Sequence, residues 1–196
     1  IHGQTKTKDH VIQIISKLIS NPAKGGNVFA IYGPPGTGKT TIVKNGLSAA
    51  LQMPFAFISL GGATDSSFLE GHSYTYEGSS WGKIVQILID SRCMNPVIYF
   101  DELDKISQTE NGKDVFSFLT FLTDPTQNNQ FTDHYFYGMK FDLSKVFYVF
   151  SFNDISKIDN KSEDEVKKYH LLKTDRCVNK NITLLHIFEN EWLNQI

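Results

Sequence analysis

The chain has 196 residues, of which 40% are hydrophobic, so it can form one domain with a sizeable buried core. Its formal net charge of −2 provides no general attraction to nucleic acid or to an anionic membrane surface. No apolar run approaches the roughly 20 residues of a membrane span, and Cys93 and Cys177 lack the spacing of metal ligands. We therefore expect free thiols and a cytoplasmic protein. Since the sequence begins without Met, we also expect it to be part of a longer product.

The first part of the chain alternates between helix and strand patterns. Apolar residues at helical spacing predict a helix over residues 11–19. A short apolar run bounded by glycines predicts a buried strand over residues 28–32, followed by a helix over 39–51 and a strand over 55–60. Residues 61–80 are rich in Gly, Ser, Thr and Tyr, which indicates a loop.

The second part continues this alternation. The predicted elements are a helix over residues 84–94, a strand over 97–100, a helix over 115–122 and a strand over 146–152. Strands that alternate with helices predict an α/β protein whose mainly parallel sheet is covered on both faces. The composition changes after about residue 155, where a charged, helix-prone segment precedes an apolar run over residues 182–188. We therefore predict a domain over residues 1–156 and a charged helical segment and tail of uncertain origin over residues 157–196.

A phosphate-binding loop is the clearest motif in the sequence. It fits the pattern GxxxxGK[ST] between a predicted strand and a predicted helix. Its residues are Gly33, Pro34, Pro35, Gly36, Thr37, Gly38, Lys39 and Thr40. The glycines let successive backbone amides point at phosphate oxygens, and the helix N-terminus adds partial positive charge. We expect Lys39 to contact the β- and γ-phosphates of ATP, Thr40 to coordinate Mg²⁺, and Thr41 to complete the nucleotide-binding residues.

Two carboxylates follow the predicted strand over residues 97–100. Ligands of open α/β sheets bind at the carboxyl ends of the strands. Asp101 is therefore a candidate Mg²⁺ ligand, and Glu102 is a candidate base for the water that attacks ATP. On their own the two residues could simply cap the next helix. Their combination with the phosphate-binding loop favours the catalytic interpretation.

Asn153 follows the predicted strand over residues 146–152. An amide at the end of a buried strand could hold the attacking water near the γ-phosphate. The alternative is a simple turn, because Asn153 and Asp154 form a dipeptide that is common in turns. Spacing alone leaves both interpretations open.

Several longer segments resemble the AAA+ module of Lon-type ATP-dependent proteases. They are GPPGTGKT from Gly33, ISLGGATD from Ile58, EGHSYTYEG from Glu70, DELDKI from Asp101, DPTQNNQFTDHY from Asp124 and FDLSKV from Phe141. The resemblance covers roughly residues 1–155, with the segments in the family's order and at similar spacings. The chain looks most like the short, protease-less relatives of large DNA viruses, which would place it in a host cytoplasm.

The resemblance implies a three-layer P-loop NTPase of the AAA+ type with a five-stranded, mainly parallel sheet. It implies a ring-forming ATPase that pulls polypeptide through its centre. Lys39 would then bind phosphate and Thr40 would bind magnesium. Asp101 would lie at the metal and Glu102 at the attacking water. Asn153 would be the sensor of the γ-phosphate.

The resemblance also assigns Tyr76 to the aromatic residue of the central pore that grips a protein client. The next residue, Glu77, stands where the family usually has an aliphatic side chain. The alternative is that Tyr76 covers the surface of a loop.

The resemblance weakens after Asn153. The family has an LLDR-like motif whose arginine reaches the nucleotide of a neighbouring subunit, and the comparable residues here are 171–176. Arg176 is thus a candidate arginine finger or a surface arginine of an unrelated tail. We expect the lid domain to be absent or vestigial, and, without a Ser-Lys dyad in a domain of its own, we expect no peptidase activity.

Two functions remain under consideration. The first is ATP hydrolysis coupled to unfolding or remodelling of a protein client, in a homo-oligomeric ring when the chain is in its full-length context. The second is a truncated module that binds nucleotide, hydrolyses little or none of it, and acts as a binding or regulatory partner. A role on DNA is disfavoured by the balanced charge. We expect the isolated chain to be mostly monomeric.

Overall fold

The computed structural model describes residues 5–20, 28–75, 77–107, 109–154 and 182–186. Tyr76, Arg176 and the charged segment over residues 159–168 lie outside these ranges, as does Cys177. The predictions made for them, and the prediction of a missing or vestigial lid, stay predictions. Cys93 is a free thiol, as expected.

The described ranges contain helices and strands in alternation. The helices are α1 (Thr5–Ser20), α2 (residues 39–51), α3 (Ser67–Glu70), α4 (Lys83–Ser91) and α5 (Glu110–Thr123). The strands are β1 (Val28–Tyr32), β2 (Phe55–Ser59), β3 (Val97–Asp101), β4 (Phe131–Thr132), β5 (Lys140–Phe141), β6 (Phe147–Phe152) and β7 (Ile182–His186). Short 3₁₀ turns occur at Leu103–Lys105 and Asn128–Gln130. Every helix and strand predicted up to residue 152 is present, but α1 begins six residues and α5 five residues before the predicted start.

Five strands form one sheet in the order β2-β3-β6-β1-β7, and each neighbouring pair is parallel. The predicted α/β fold with a five-stranded parallel sheet is confirmed. Strands β3 and β6 are apolar along nearly their whole length because helices cover both of their faces. The carboxyl ends of β1, β3 and β6 lie at the same edge of the sheet, where the predicted site residues follow.

The fifth strand is contributed by the apolar run in the predicted tail. The backbone of β7 pairs with β1 from Val28 opposite Ile182 to Tyr32 opposite His186. Residues 182–186 therefore belong to the same sheet as the predicted ATPase domain. The boundary predicted at residue 156 stays a prediction.

The core lies on both faces of the sheet and makes the molecule three-layered. On one face α2 packs through Ile42, Val43 and Leu47 against Phe29, Tyr99, Phe147 and other strand residues. On the other face α4 and α5 pack against Ile98, Phe100, Tyr148 and Phe150. Successive side chains of β3 and β6 thus enter the cores on opposite faces. A shift of one residue would move every side chain to the other face, so this alternation fixes the register of the two strands.

A small hairpin and a loop lie outside the main sheet. Strands β4 and β5 pair antiparallel, with Phe131 opposite Phe141. Asp133, which is 1% exposed, follows β4 and accepts hydrogen bonds from Gly82 N at 2.7 Å and from Tyr135 N at 2.8 Å. The bond from Gly82 fastens the end of the loop over residues 72–81 to the segment after β4, whereas the bond from Tyr135 is local to that segment. Among the described helices, none is both long and apolar enough to cross a membrane.

Candidate functional site

The predicted phosphate-binding loop connects β1 to α2. Its first amide, Gly33 N, donates to Phe152 O at 3.4 Å, which holds the start of the loop against the end of β6. Gly36 and Gly38 have φ angles of +79° and +81°, a region that side chains strongly disfavour. The loop therefore needs glycine at these two positions for its curvature, and α2 begins directly after it at Lys39.

Lys39 lies buried at the base of this loop, with 8% of its surface exposed. Its ammonium donates to Gly33 O at 2.7 Å, to Pro34 O at 2.9 Å and to Asn153 Oδ1 at 2.6 Å. Burial lowers the pKa of Lys39, while the charges of Asp101 and Asp104 act in the opposite direction. The three acceptors and two carboxylates offset the cost of placing a cation here.

The two predicted carboxylates differ in their surroundings. Asp101 accepts hydrogen bonds at Oδ1 from the Ser151 hydroxyl and from Glu102 N, the latter at 3.0 Å. Glu102 has a left-handed backbone with φ 60°, which turns the chain away from the strand axis. Its carboxylate pairs with Lys105 and lies so close to Gly61 that a Cβ there would collide with Oε2. Gly61 thus leaves room for the proposed base.

Asn153 is held by both its side chain and its backbone. Its Oδ1 accepts from Lys39, and its N–H donates to Asp104 Oδ1 at 3.3 Å. Asp104 is 9% exposed and lies in the 3₁₀ turn after Glu102. These contacts place Asn153 beside Lys39, and its role toward the γ-phosphate stays a prediction.

Thr40 and Asp101, the predicted metal ligands, supply a hydroxyl and a carboxylate at this same edge. Oxygen donors of this kind suit Mg²⁺, which keeps several water ligands of its own. Among the described residues, no group of three or more His, Cys, Asp or Glu side chains has the arrangement of a metal site. The hydroxyl of Thr40 and the carboxylate of Asp101 are donors that fit Mg²⁺.

A match to a known protein family identifies the family of this chain. Residues 29–171 match the family described as ATPase family associated with various cellular activities (AAA). The chain belongs to the AAA family. Nucleotide binding and ATP-driven activity are the general properties that this membership implies for the module.

Lon proteases are among the relatives of this AAA module. A Lon protease homolog of Acanthamoeba polyphaga mimivirus is 39% identical over 169 residues, which cover 86% of this chain and 16% of that protein. Lon protease of Fusobacterium nucleatum is 37% identical over 165 residues, covering 84% of this chain and 21% of that protein. A mitochondrial Lon protease homolog of Yarrowia lipolytica is 38% identical over 157 residues, which cover 80% of this chain and 13% of that protein. The predicted relation to a Lon-type AAA+ module is confirmed, and the chain spans only 13–21% of the length of these relatives.

The structure of this AAA module joins Lys39 to Asn153 by a hydrogen bond and places Thr40, Asp101 and Glu102 at the same edge of the sheet. Three of their neighbours were not predicted: Tyr99, Asp104 and Ser151. The sequence signals were weak, because Tyr99 and Ser151 are single polar residues inside apolar strands. Asp104 stands within the quoted segment DELDKI, which could have drawn attention to it.

Proposed function

We propose that this AAA module binds ATP together with Mg²⁺ and hydrolyses it to unfold or remodel a protein client. The observation that supports this most directly is the 2.6 Å contact between Lys39 Nζ and Asn153 Oδ1. It joins the loop after β1 to the residue after β6, and the charge of Asp101 at the end of β3 acts on the same lysine. Phosphoryl transfer depends on such a collection of charges and positioning groups.

The loop and Lys39 provide the proposed phosphate site. Backbone N–H groups over residues 36–41 and the N-terminus of α2 would face the phosphates, while Lys39 supplies the positive charge; Pro34 and Pro35 have no N–H to donate. Thr40 and Asp101 are the residues that would hold Mg²⁺, which when bound neutralises charge on the β- and γ-phosphates. Thr41 is exposed at the third position of α2 and belongs to the outer part of this proposed site.

Glu102 is the proposed general base. Its carboxylate emerges after β3 at the ligand-binding edge of the sheet and takes the proton of the attacking water. Asn153 positions that water or the γ-phosphate through its side chain. Asp104 accepts a hydrogen bond from the Asn153 backbone N–H, and Lys39 donates to the side-chain oxygen Oδ1 of Asn153 and orients it.

The coupling to a client extends the proposal beyond the described residues. The relatives are named as proteases, and the chain matches only a minor part of each. We propose that Tyr76 contacts the client, that Arg176 completes a neighbouring site in a homo-oligomeric ring, and that this chain itself cleaves no peptide. The proposed location is the cytoplasm, or the host cytoplasm if the source is a virus.

One observation favours the alternative function, a module that binds nucleotide with little or no hydrolysis. The Glu102 carboxylate is paired with Lys105 three residues later, which engages the proposed base. Both functions require the phosphate site, and they differ only in turnover.

A combined binding and turnover measurement distinguishes them. Calorimetric titration with ATP and Mg²⁺ is followed by phosphate release at increasing protein concentration. Binding with turnover that rises with protein concentration supports the ATPase. Binding without turnover at any concentration supports the alternative, whereas no binding would contradict both.

A further inference from the structure

We propose that the hydroxyl groups of Tyr99 and Ser151 form a buried bridge that positions Thr40 and Asp101 to bind magnesium. Tyr99 and Ser151 act here as positioning residues, since neither would touch the nucleotide or the metal. The inference rests on the proposed binding of ATP with Mg²⁺ and adds a reason for the metal preference of the site.

The bridge begins at Thr40. Its Oγ1 donates to the hydroxyl oxygen of Tyr99 at 3.4 Å. Tyr99 is fully buried in β3, and its ring lies 6.1 Å from that of Phe55 and 5.9 Å from that of Phe57. A hydroxyl has one proton and two lone pairs. A Thr40 hydroxyl whose proton points at Tyr99 therefore keeps its lone pairs for a cation.

The other end of the bridge is Asp101. Ser151 is fully buried in β6 and donates its proton to Asp101 Oδ1. Glu102 N donates to the same oxygen at 3.0 Å. Because both bonds fall on Oδ1, they hold the carboxylate in one orientation and leave Oδ2 as the oxygen that would bind the proposed cation.

Tyr99 and Ser151 connect the two ends. Tyr99 and Asp101 lie two residues apart on β3, next to the part of β6 that contains Ser151. Because Ser151 gives its single proton to Asp101, its oxygen is the acceptor left for the Tyr99 hydroxyl, and this contact is the inferred link of the bridge. The donor direction then runs from Thr40 through Tyr99 and Ser151 to the Asp101 carboxylate. Hydrogen bonds aligned in one direction and ending on a charge strengthen one another in a buried setting. The bridge therefore couples the position of one metal ligand to that of the other.

Tyr148 provides a matched control within the same sheet. It is 1% exposed in β6, and its hydroxyl has no hydrogen-bond partner among the described residues. It packs with Phe100 on the opposite face of the sheet from Tyr99. Replacing Tyr148 by Phe removes a hydroxyl of the same kind at similar burial but outside the bridge.

The test separates metal-dependent from metal-independent nucleotide binding. A fluorescent ATP analogue is titrated into wild type, Tyr99→Phe, Ser151→Ala, the double variant and Tyr148→Phe, first in EDTA and then with increasing Mg²⁺. We expect Tyr99→Phe and Ser151→Ala to raise the Mg²⁺ concentration for half-maximal effect by about three- to tenfold, the usual range for one lost hydrogen bond. The affinity in EDTA should be unchanged, because the loop and Lys39 are intact. Tyr148→Phe should behave as wild type in both conditions.

The double variant adds a second criterion. Because both hydroxyls belong to one bridge, its effect should be smaller than the product of the two single effects. Equal Mg²⁺ dependence of Tyr99→Phe and Tyr148→Phe would overturn the bridge and leave the proposed function standing. So would an equal loss of affinity in EDTA and Mg²⁺, which is the mark of a merely structural role. If the nucleotide affinity of the wild type is the same in EDTA and in Mg²⁺, both proposals are overturned.

Discussion

Lys39 has a position that few lysines occupy, since only 8% of the residue's surface is exposed. Two loop carbonyls and Asn153 accept its three hydrogen bonds. The same acceptors aim the ammonium at the inner side of the loop. Its side chain therefore contributes both to the shape of the loop and to the charge that the phosphates would meet.

The first prediction concerns this cation. Replacement Lys39→Ala should weaken Mg-ATP binding by tenfold or more, because a hydrogen bond to a charged group contributes about 1.5–3 kcal/mol. Calorimetric titration measures the change. The control is Lys44→Ala on the same helix. Lys44 is exposed, and its Nζ lies 5.9 Å from the ring centroid of Phe55. If both variants bind ATP as the wild type does, the assignment of the phosphate site is wrong.

The second prediction concerns the proposed base. Glu102→Gln should retain ATP binding and abolish turnover, because the amide has the shape of the carboxylate but takes up no proton. Phosphate release and ATP titration measure the two properties separately. Asp114→Asn, which neutralises an exposed carboxylate on α5, is the control and should leave both unchanged. Undiminished hydrolysis by Glu102→Gln would assign the base to another residue.

Residues that act through their neighbours were harder to predict than those of the motif. Lys39, Thr40 and Glu102 stand in patterns whose spacing carries their chemistry. Ser151 and Tyr99 acquire their roles only when β3 and β6 lie side by side, a contact between residues far apart in the chain. A sequence read locally shows such residues merely as polar interruptions of buried strands.

At the scale of elements, the loop after β2 shapes the space around the base. The third prediction is that Gly61→Ala reduces turnover by moving the Glu102 carboxylate, with which a new Cβ would collide. Because the colliding atom is the end of a flexible side chain, the free energy of unfolding should change little. Denaturant unfolding and phosphate release measure the two effects.

A double variant serves as the control for Gly61. If Gly61→Ala acts only through Glu102, then combining it with Glu102→Gln should lower turnover no further than Glu102→Gln alone. An additional loss in the double variant, or a marked loss of stability in the single one, would contradict this account.

The fourth prediction concerns the anchor of the loop over residues 72–81. Asp133→Ala leaves the buried Gly82 N–H without its acceptor and should lower the free energy of unfolding by about 1–3 kcal/mol. Asp142→Ala is the matched control, because Asp142 also accepts a backbone hydrogen bond, from Ser144 N at 3.0 Å, but is exposed. It should change stability by no more than about 0.5 kcal/mol. Equal losses in thermal or denaturant unfolding would show that burial of Asp133 is unimportant.

Among the elements, those with many apolar residues were predictable and the shortest were not. Helix α4 and strand β6 have a clear period or a continuous apolar run. Strands β4 and β5 have two residues each, too few to show any alternation, and α3 has four. The apolar run over residues 182–188 was recognised, but its membership of the sheet depends on pairing with β1, which no local pattern reports.

At the scale of the whole molecule, the described site residues all belong to one chain, while the charge for the transition state of a ring ATPase comes from a neighbour. The fifth prediction is that the isolated chain is mostly monomeric, and that it binds ATP but hydrolyses ATP very slowly. Light scattering with ATP present, together with phosphate release, measures both properties. A stable closed oligomer with rapid turnover that is lost in Arg176→Ala would contradict the prediction and assign the finger to Arg176.

The pairing of β1 has a consequence for how the protein folds. Its two neighbours, β6 and β7, come from residues 147–152 and 182–186, more than a hundred positions later in the chain. Contacts between such distant residues require closure of long loops and are formed slowly. A ribosome releases β1 and its loop early, but the sheet around them is completed only after residue 186 has emerged. The contact between Lys39 and Asn153 belongs to the same late stage, so nucleotide-binding competence should appear near the end of folding.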